Sequence, residues 1–237
     1  PGAGSGEKAV MLIDSLDDPV GVVPVDISMD YVERSAEALA RRFPNLEILP
    51  LCADFTEPLD IPPTARAPSS RLVFFPGSTV GNFHRPEREQ LIKNFAAAAG
   101  PGGRALLGVD LVKDGATLEA AYDDSDRITE AFNLNLLARM NRELGSDFEP
   151  DDFHYVAEWD TTDSAVHMYL ESRVDQTVSI SDTEVTLTSG ERIHTESSYK
   201  FTPESFAAEA ARCGLEREAI WTDERGWFSV VLLKSTA

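Results

Sequence analysis

LVFFPGSTVGNF, residues 72–83, runs four apolar residues into a loop of small ones. Leu72–Phe75 reads as a buried strand of a parallel sheet, because strands covered on both faces lose the polar alternation. Gly77 and Gly81 then bracket Ser78, Thr79 and Val80, and Asn82 closes the loop. In open α/β sheets, ligands bind just beyond the carboxyl ends of the strands. A Gly-rich loop at that place brings a ligand close to the backbone and sets one amide side chain, Asn82, at the mouth. A plain strand-to-helix turn, with Asn82 capping the next helix, fits this stretch equally well. The flanking segments bear on the choice.

Upstream, PGAGSGEK (residues 1–8) places glycines ahead of a helix that begins near Ala9. Such a loop lets a ligand sit against unpaired backbone N–H groups. It is not a P-loop: Glu7 separates Gly6 from Lys8, and Ala9 follows where Ser or Thr is required. A strand over Gly21–Ser28 carries Asp26, about twenty residues beyond the glycines, where a carboxylate can take both ribose hydroxyls of a nucleoside. A helix over Tyr31–Phe43 follows, then a strand over Glu47–Ala53 that runs into Asp54-Phe55, a carboxylate beside an aromatic face suited to an adenine. Taken singly, Asp26 and Asp54 read as solvated strand ends; the Gly-loop, Asp26 and Asp54-Phe55 in sequence read as a site. Downstream, a Pro/Ser-rich connector (Ile61–Ser70) precedes the 72–83 element. A helix over Pro86–Ala99 and a strand over Arg104–Leu111 ending at Asp110 come next. Strands alternating with helices at these spacings imply a mostly parallel sheet.

From about Lys113 the pattern changes. Gly115–Gly145 is helical in period, with Leu118, Tyr122, Ile128, Phe132, Leu136 and Met140 on one side. Asp151–Phe201 is β-rich, with hairpin material over Val166–Ile180, Val185–Leu187 and Ile193–Tyr199. The tail returns to α/β. Thr202 reads as the N-cap of a helix over Pro203–Cys213, with Gly214 at its C-cap. Strands near Ala219–Thr222 and Trp227–Lys234, joined by the short linker Asp223–Gly226, form an antiparallel pair. A parallel sheet finished by an antiparallel strand is the ending of a class I methyltransferase sheet.

The totals bound the function. A chain of 237 residues holds one large domain or a domain with a sizeable insertion. Its formal net charge of −20 argues against a nucleic-acid partner, which needs a basic patch. Cys52 and Cys213 match no metal or redox spacing, and His84, His154, His167 and His194 lack metal-ligand spacing. With no run of membrane-spanning length and no signal-peptide pattern, the expectation is a cytoplasmic monomer that handles small molecules without a metal or a membrane. The Gly-loop and Asp26 also fit an NAD-dependent oxidoreductase, although no residues suggest a nicotinamide site.

Four segments carry a resemblance: FFPGSTVGNF (74–83), LLGVDLVKD (106–114), AYDDSDRITEAFNLNLLARMNRELG (121–145) and GERIHTESSYKF (190–201). Through them, and over nearly its whole length, the chain resembles the histidine-specific Nα-methyltransferases of ergothioneine biosynthesis. These make the betaine hercynine from histidine and S-adenosylmethionine (SAM). The resemblance implies a class I, Rossmann-like SAM-binding domain over 1–113 and 200–237, with an α+β substrate-binding insertion over 114–199. It implies a SAM site at Gly2, Lys8, Asp26, Asp54 and Phe55. It implies that the amino-acid substrate meets Gly77 and Asn82 of the PGSTxGN loop, Tyr122 of AYDD, Met168, and Glu196 and Ser198 of TExS. The family carries a segment ahead of the Gly-rich loop that supplies the first strand. The expectation is therefore a chain that starts inside that motif, with weakened turnover or binding alone as a competing outcome. A sister enzyme acting on another amino acid is the other alternative.

The chemistry is consistent with these residue types. Methyl transfer to an amine is an in-line displacement in which positioning supplies most of the acceleration. An α-amino group has a pKa of about 7.7–8.0, so a usable neutral fraction exists near pH 7 without a strong base. Asn82 and Tyr122 are therefore read as the catalytic pair that orients the amine. Glu196 and Ser198 are read as the pair that recognises the imidazole. A cross-strand ion pair of Glu196 with Lys200 or Arg192 is the competing structural role.

Overall fold

Prolines and buried side chains set the strand pattern of the first part of the chain. The structure, a computed structural model, describes residues 1–2 and 6–236. Ala3, Gly4 and Ser5 of the glycine-rich loop lie outside the described residues. The chain divides into two compact units, residues 1–111 with 201–237, and residues 112–200.

In the first unit, α1 (Glu7–Ile13) is followed by β1 (Gly21–Val22), β2 (Val25–Asp26) and α2 (Met29–Arg42). β3 (Glu47–Ile48) and β4 (Leu51–Cys52) come next. The two long strands expected here are each split in two, since Pro24 and Pro50 carry no N–H to donate. The pairing still runs parallel in one register: Gly21 lies opposite Glu47, and Val25 opposite Leu51. The bonds Leu49 N–H to Val22 O and Leu51 N–H to Pro24 O bridge the gap.

β5 (Leu72–Phe75), α3 (Arg85–Ala99) and β6 (Arg104–Asp110) complete the alternation. Among the described residues, β5 and β6 pair in parallel. α3 is capped by His84 in a capping box with Glu87, so Asn82 is not its cap. Asn82 instead ends a 3₁₀ turn over Ser78–Asn82.

The second unit opens with α4 (Gly115–Tyr122) and α5 (Ile128–Leu144), followed by β7 (Phe153–Asp160) and β8 (Ala165–Ser172). β9 (Gln176–Ile180) and β10 (Thr183–Leu187) form a hairpin, and β11 (Arg192–Tyr199) pairs antiparallel with β8. The single helical face expected over Gly115–Gly145 is corrected here. The helix stops at Tyr122 and restarts at Ile128 in a new phase. Asn133 and Leu137 therefore turn inward, while Ile128, Phe132 and Leu136 are exposed. The core of this unit gathers Leu137, Phe148, Phe153, Tyr155, Met168, Leu170, Val178 and Leu187 between α5 and the strands.

The restart has a chemical cause. Asp124 accepts the backbone N–H groups of Ile128 at 2.9 Å and Thr129 at 3.0 Å, so one carboxylate satisfies two orphan donors. These bonds, Thr129 first, hold its carboxyl down to about 2, below the ordinary 3.8. A depressed folded-state value means the stabilisation is present above the unfolded value and disappears as pH falls through the folded one. Thermal melts of the native protein from pH 5 to 2 should therefore include a loss between those two values. Asp124→Ala should be less stable at pH 5 and should lack that increment.

The chain then returns to the first unit through α6 (Pro203–Arg212), β12 (Leu215–Thr222) and β13 (Phe228–Ser235). Thr202 caps α6 by accepting the Ser205 N–H, while Cys213, not Gly214, is the C-cap residue. Gly214 follows at φ +87°, the left-handed conformation that suits glycine. β13 inserts antiparallel between β6 and β12, giving the order β12-β13-β6-β5. No helix among the described residues is long and apolar enough to cross a membrane.

Candidate active site

The first unit assembles its candidate residues at the ends of parallel strands. Asp26 ends β2, where its Oδ1 accepts the Ser28 N–H at 3.1 Å. Asp54 and Phe55 follow β4. Asp54 Oδ1 accepts from the Thr56 backbone N–H at 2.9 Å and hydroxyl at 2.7 Å, and these bonds, the hydroxyl first, lower its pKa. The Phe55 ring lies 5.4 Å from that of Phe75 on β5, which in turn meets Phe95 on α3 at 5.2 Å. Asn94 of α3 donates to Thr56 O, tying the Asp54-Phe55 turn to the same helix. Gly2 lies against Phe75, with a left-handed φ of +63° that favours glycine. Lys8 is exposed on α1. A left-handed glycine, two carboxylates with acceptor capacity to spare and a phenyl face suit an adenosyl group.

The loop after β5 is held from both sides. Gly108 on β6 has a packing role that no sequence motif signals. A Cβ there would lie 2.1 Å from Pro76 O, so only glycine allows β6 to approach the start of the loop. At the other end, Arg88 donates to Phe83 O at 2.9 Å and forms a two-pronged ion pair with Glu209 of α6, at 2.7 and 3.1 Å. Arg88 and Glu209 are buried, and the guanidinium also stacks over Phe201. Buried charges persist only when paired, and this pair fixes the backbone next to Asn82. Asn82 itself is exposed.

Gly77 is different from Gly108. Its φ is −79°, and the nearest atom to an added Cβ is Thr79 Oγ1 at 3.5 Å, an ordinary contact. Nothing among the described residues of this unit requires a glycine there. Gly77→Ala should therefore fold with an unchanged melting temperature. If a ligand occupies the space above Gly77, the variant should raise KM for the amino-acid substrate by about tenfold or more through lost close approach.

The second unit assembles the others around β11. Glu196 and Ser198, two residues apart, share one face of the strand. A bulge at Thr195 precedes them and brings Glu196 opposite Met168 on β8. The Thr195 hydroxyl lies 2.5 Å from Asn133 Oδ1 and 3.0 Å from the Met168 carbonyl, which anchors the bulge to α5. Met168 and Ser198 are both buried, and Asn133 Nδ2 lies 4.0 Å from the Met168 sulfur.

Tyr122, at the end of α4, donates to Ser198 Oγ at 2.7 Å. The buried Lys200 donates to both Tyr122 OH and Ser198 Oγ at 2.7 Å. Tyr155 supports the group by donating to Tyr122 O at 3.0 Å, and its phenol is pushed up by burial and then by neighbouring carboxylates, Asp123 first. Burial also raises the pKa of Glu196, and the positive charge of Lys200 pulls it partly back. Arg192 instead pairs with Glu171 and Glu158.

On the other face, Ser197 Oγ lies 2.8 Å from both His167 and His194. Asp160, Asp163 and His167 have ligand-capable atoms within 4.8 Å of one another, a proximity that sequence spacing does not reveal. Asp160 Oδ1 already accepts the N–H groups of Thr162 and Asp163 there.

The model of the family described as "Histidine-specific methyltransferase, SAM-dependent" matches residues 1–235. The chain belongs to that family. It is also 40% identical to a histidine N-alpha-methyltransferase of Mycolicibacterium smegmatis, over 98% of this chain and 73% of that protein. Ergothioneine biosynthesis protein 1 of Neurospora crassa is 26% identical over 93% of this chain, which spans 26% of that protein. Among solved structures, the CcbJ methyltransferase of Streptomyces caelestis aligns at a TM-score of 0.50 and 19% identity. That alignment covers 99% of this chain and 81% of the other, and at such identity it bears on fold alone. A SAM-dependent methyltransferase of the class I fold accounts for β5, β6 and the antiparallel β13.

Proposed function

We propose that this enzyme transfers methyl groups from SAM to the α-amino nitrogen of L-histidine, in three rounds, to give hercynine. Membership of the histidine-specific family supports the reaction class. One observation carries the choice of side chain: Glu196 and Ser198 share a face of β11, held against Tyr122 and Lys200. A carboxylate and a hydroxyl there can satisfy an imidazole, and they leave unpaired buried groups against an apolar ring.

Bound SAM supplies a sulfonium methyl, and the amine lone pair attacks that carbon as the C–S bond breaks. Gly2, Lys8, Asp26, Asp54 and Phe55 hold the adenosyl and amino-acid parts, Asp26 on the ribose and Phe55 against the base. Gly77 gives the substrate backbone a close approach, and Asn82 orients the amine. Tyr122 is the second orienting residue, and its hydroxyl acts within the Ser198–Lys200 group. Each round releases a proton from the new ammonium to solvent, until the third leaves none. Asn82 and Tyr122 are assigned to orienting the amine, and no side chain is assigned as a dedicated base.

The test is turnover of a panel of amino acids with SAM, alongside SAM titration of Asp26→Ala. Histidine should be the preferred substrate, and the variant should bind SAM at least about tenfold more weakly through loss of the ribose contact. Preference for another amino acid would overturn the ring assignment. Binding of SAM and histidine without product would reduce the chain to a binding module.

A further inference from the structure

We infer that Lys200 is a positioning residue for specificity: by donating to Ser198 and Tyr122 together, it leaves the Ser198 hydroxyl proton to be given to the substrate ring. This rests on the reading of Glu196 and Ser198 as the ring-facing pair.

A lysine just past a strand end is ordinarily a surface residue, yet Lys200, which follows β11, is only 3% exposed. Its ammonium lies 2.7 Å from Tyr122 OH, 2.7 Å from Ser198 Oγ and 4.7 Å from the centre of the Tyr122 ring. An ammonium has donors and no acceptor, so both oxygens accept from it. One further bond, 2.7 Å long, joins Tyr122 OH to Ser198 Oγ. The phenol is the more acidic hydroxyl, so it provides the proton. Ser198 Oγ thus accepts twice, which exhausts its two lone pairs. Its own proton remains to be donated.

The result is a face with one acceptor and one donor. The ionised Glu196 accepts only, and Ser198, as set by its neighbours, donates. A neutral imidazole presents the complement, one ring N–H and one bare nitrogen. An apolar ring presents neither, and a ring with N–H but no bare nitrogen leaves Ser198 without an acceptor. Without Lys200, the Ser198 hydroxyl regains a lone pair and its polarity toward the ring is no longer fixed. Selectivity for histidine then rests on Glu196 alone.

The experiment compares Lys200→Met, Lys200→Gln, Ser198→Ala and the Ser198→Ala/Lys200→Met double variant by steady-state kinetics with histidine, with SAM affinity as a control. Lys200→Met should raise KM for histidine by about tenfold, the scale of a lost charge-assisted hydrogen bond, with kcat and SAM affinity changed much less. Lys200→Gln keeps an N–H donor and should recover part of the loss. The double variant should be no worse than Ser198→Ala, because Lys200 acts through that hydroxyl.

On the unaltered protein, pyrrolylalanines, which keep a ring N–H and lack the bare nitrogen, should bind at least about tenfold more weakly than histidine. That measurement stands even where a lysine variant does not fold. Additive losses in the double variant, or equal binding of the pyrrole analogues, would overturn the role of Lys200. A rise in KM for Ser198→Ala with none for Lys200→Met would overturn it while leaving the ring pair standing. No effect of Ser198→Ala would remove the ring reading itself, and this inference with it.

Discussion

Asn82→Ala should lower kcat/KM for histidine by about a hundredfold or more, because misplacing a reacting amine by an ångström has that effect. Fold and SAM affinity should be kept. Asn82 is exposed, so trimming its side chain opens no cavity. The loop beside it is held independently, by the close approach of Gly108 to Pro76 and by Arg88 donating to Phe83 O. Val80 is wholly buried and anchors the turn between them. The loss should therefore appear in turnover, with the melting temperature and a SAM titration unchanged. A variant within threefold of the native rate would remove Asn82 from the orienting role.

Glu196→Ala should have the larger effect, a fall in kcat/KM of about a thousandfold, below the roughly 10⁴–10⁵ by which a hydrogen-bonding site rejects a substrate lacking the complement. Most of it should appear as a rise in KM for histidine, and discrimination against phenylalanine should collapse. The structure adds a pH signature. Burial raises the Glu196 carboxyl above the ordinary 4.5, with Lys200 opposing. A raised folded value means that the folded protein holds this proton more tightly than the unfolded chain. The linked stability is thus fully present below the unfolded value and is lost as pH rises through the folded one. Function runs the other way: acidification protonates Glu196 at a higher pH than an ordinary glutamate and removes the acceptor for the ring N–H. Histidine affinity measured with Glu196→Gln should lose that part of the acid limb.

Much of the first unit could be read from sequence because its signals are local. Leu72–Phe75 is a short apolar run with a glycine loop behind it, and Thr202 with Pro203 opens α6 in the way a cap and a first-turn proline dictate. The antiparallel end of the sheet was visible in the short linker Asp223–Gly226. What could not be read depended on partners far apart in the chain. Lys200 looks like a surface lysine until β11 folds against Tyr122. Arg88 and Glu209 are unremarkable on their own helices and become a buried pair only when α3 meets α6. The single face across Gly115–Gly145 breaks for a local reason: helical period runs on through Asp123–Arg127 in the sequence, while the Asp124 carboxylate restarts the helix.

The most direct test of the histidine assignment is fragmentation mass spectrometry of histidine incubated with the enzyme and methyl-labelled SAM. The account predicts products carrying one, two and three labelled methyl groups, all on the α-amino nitrogen, with the ring unmodified. Label on the imidazole, or transfer to a different amino acid while histidine stays unmodified, would contradict it.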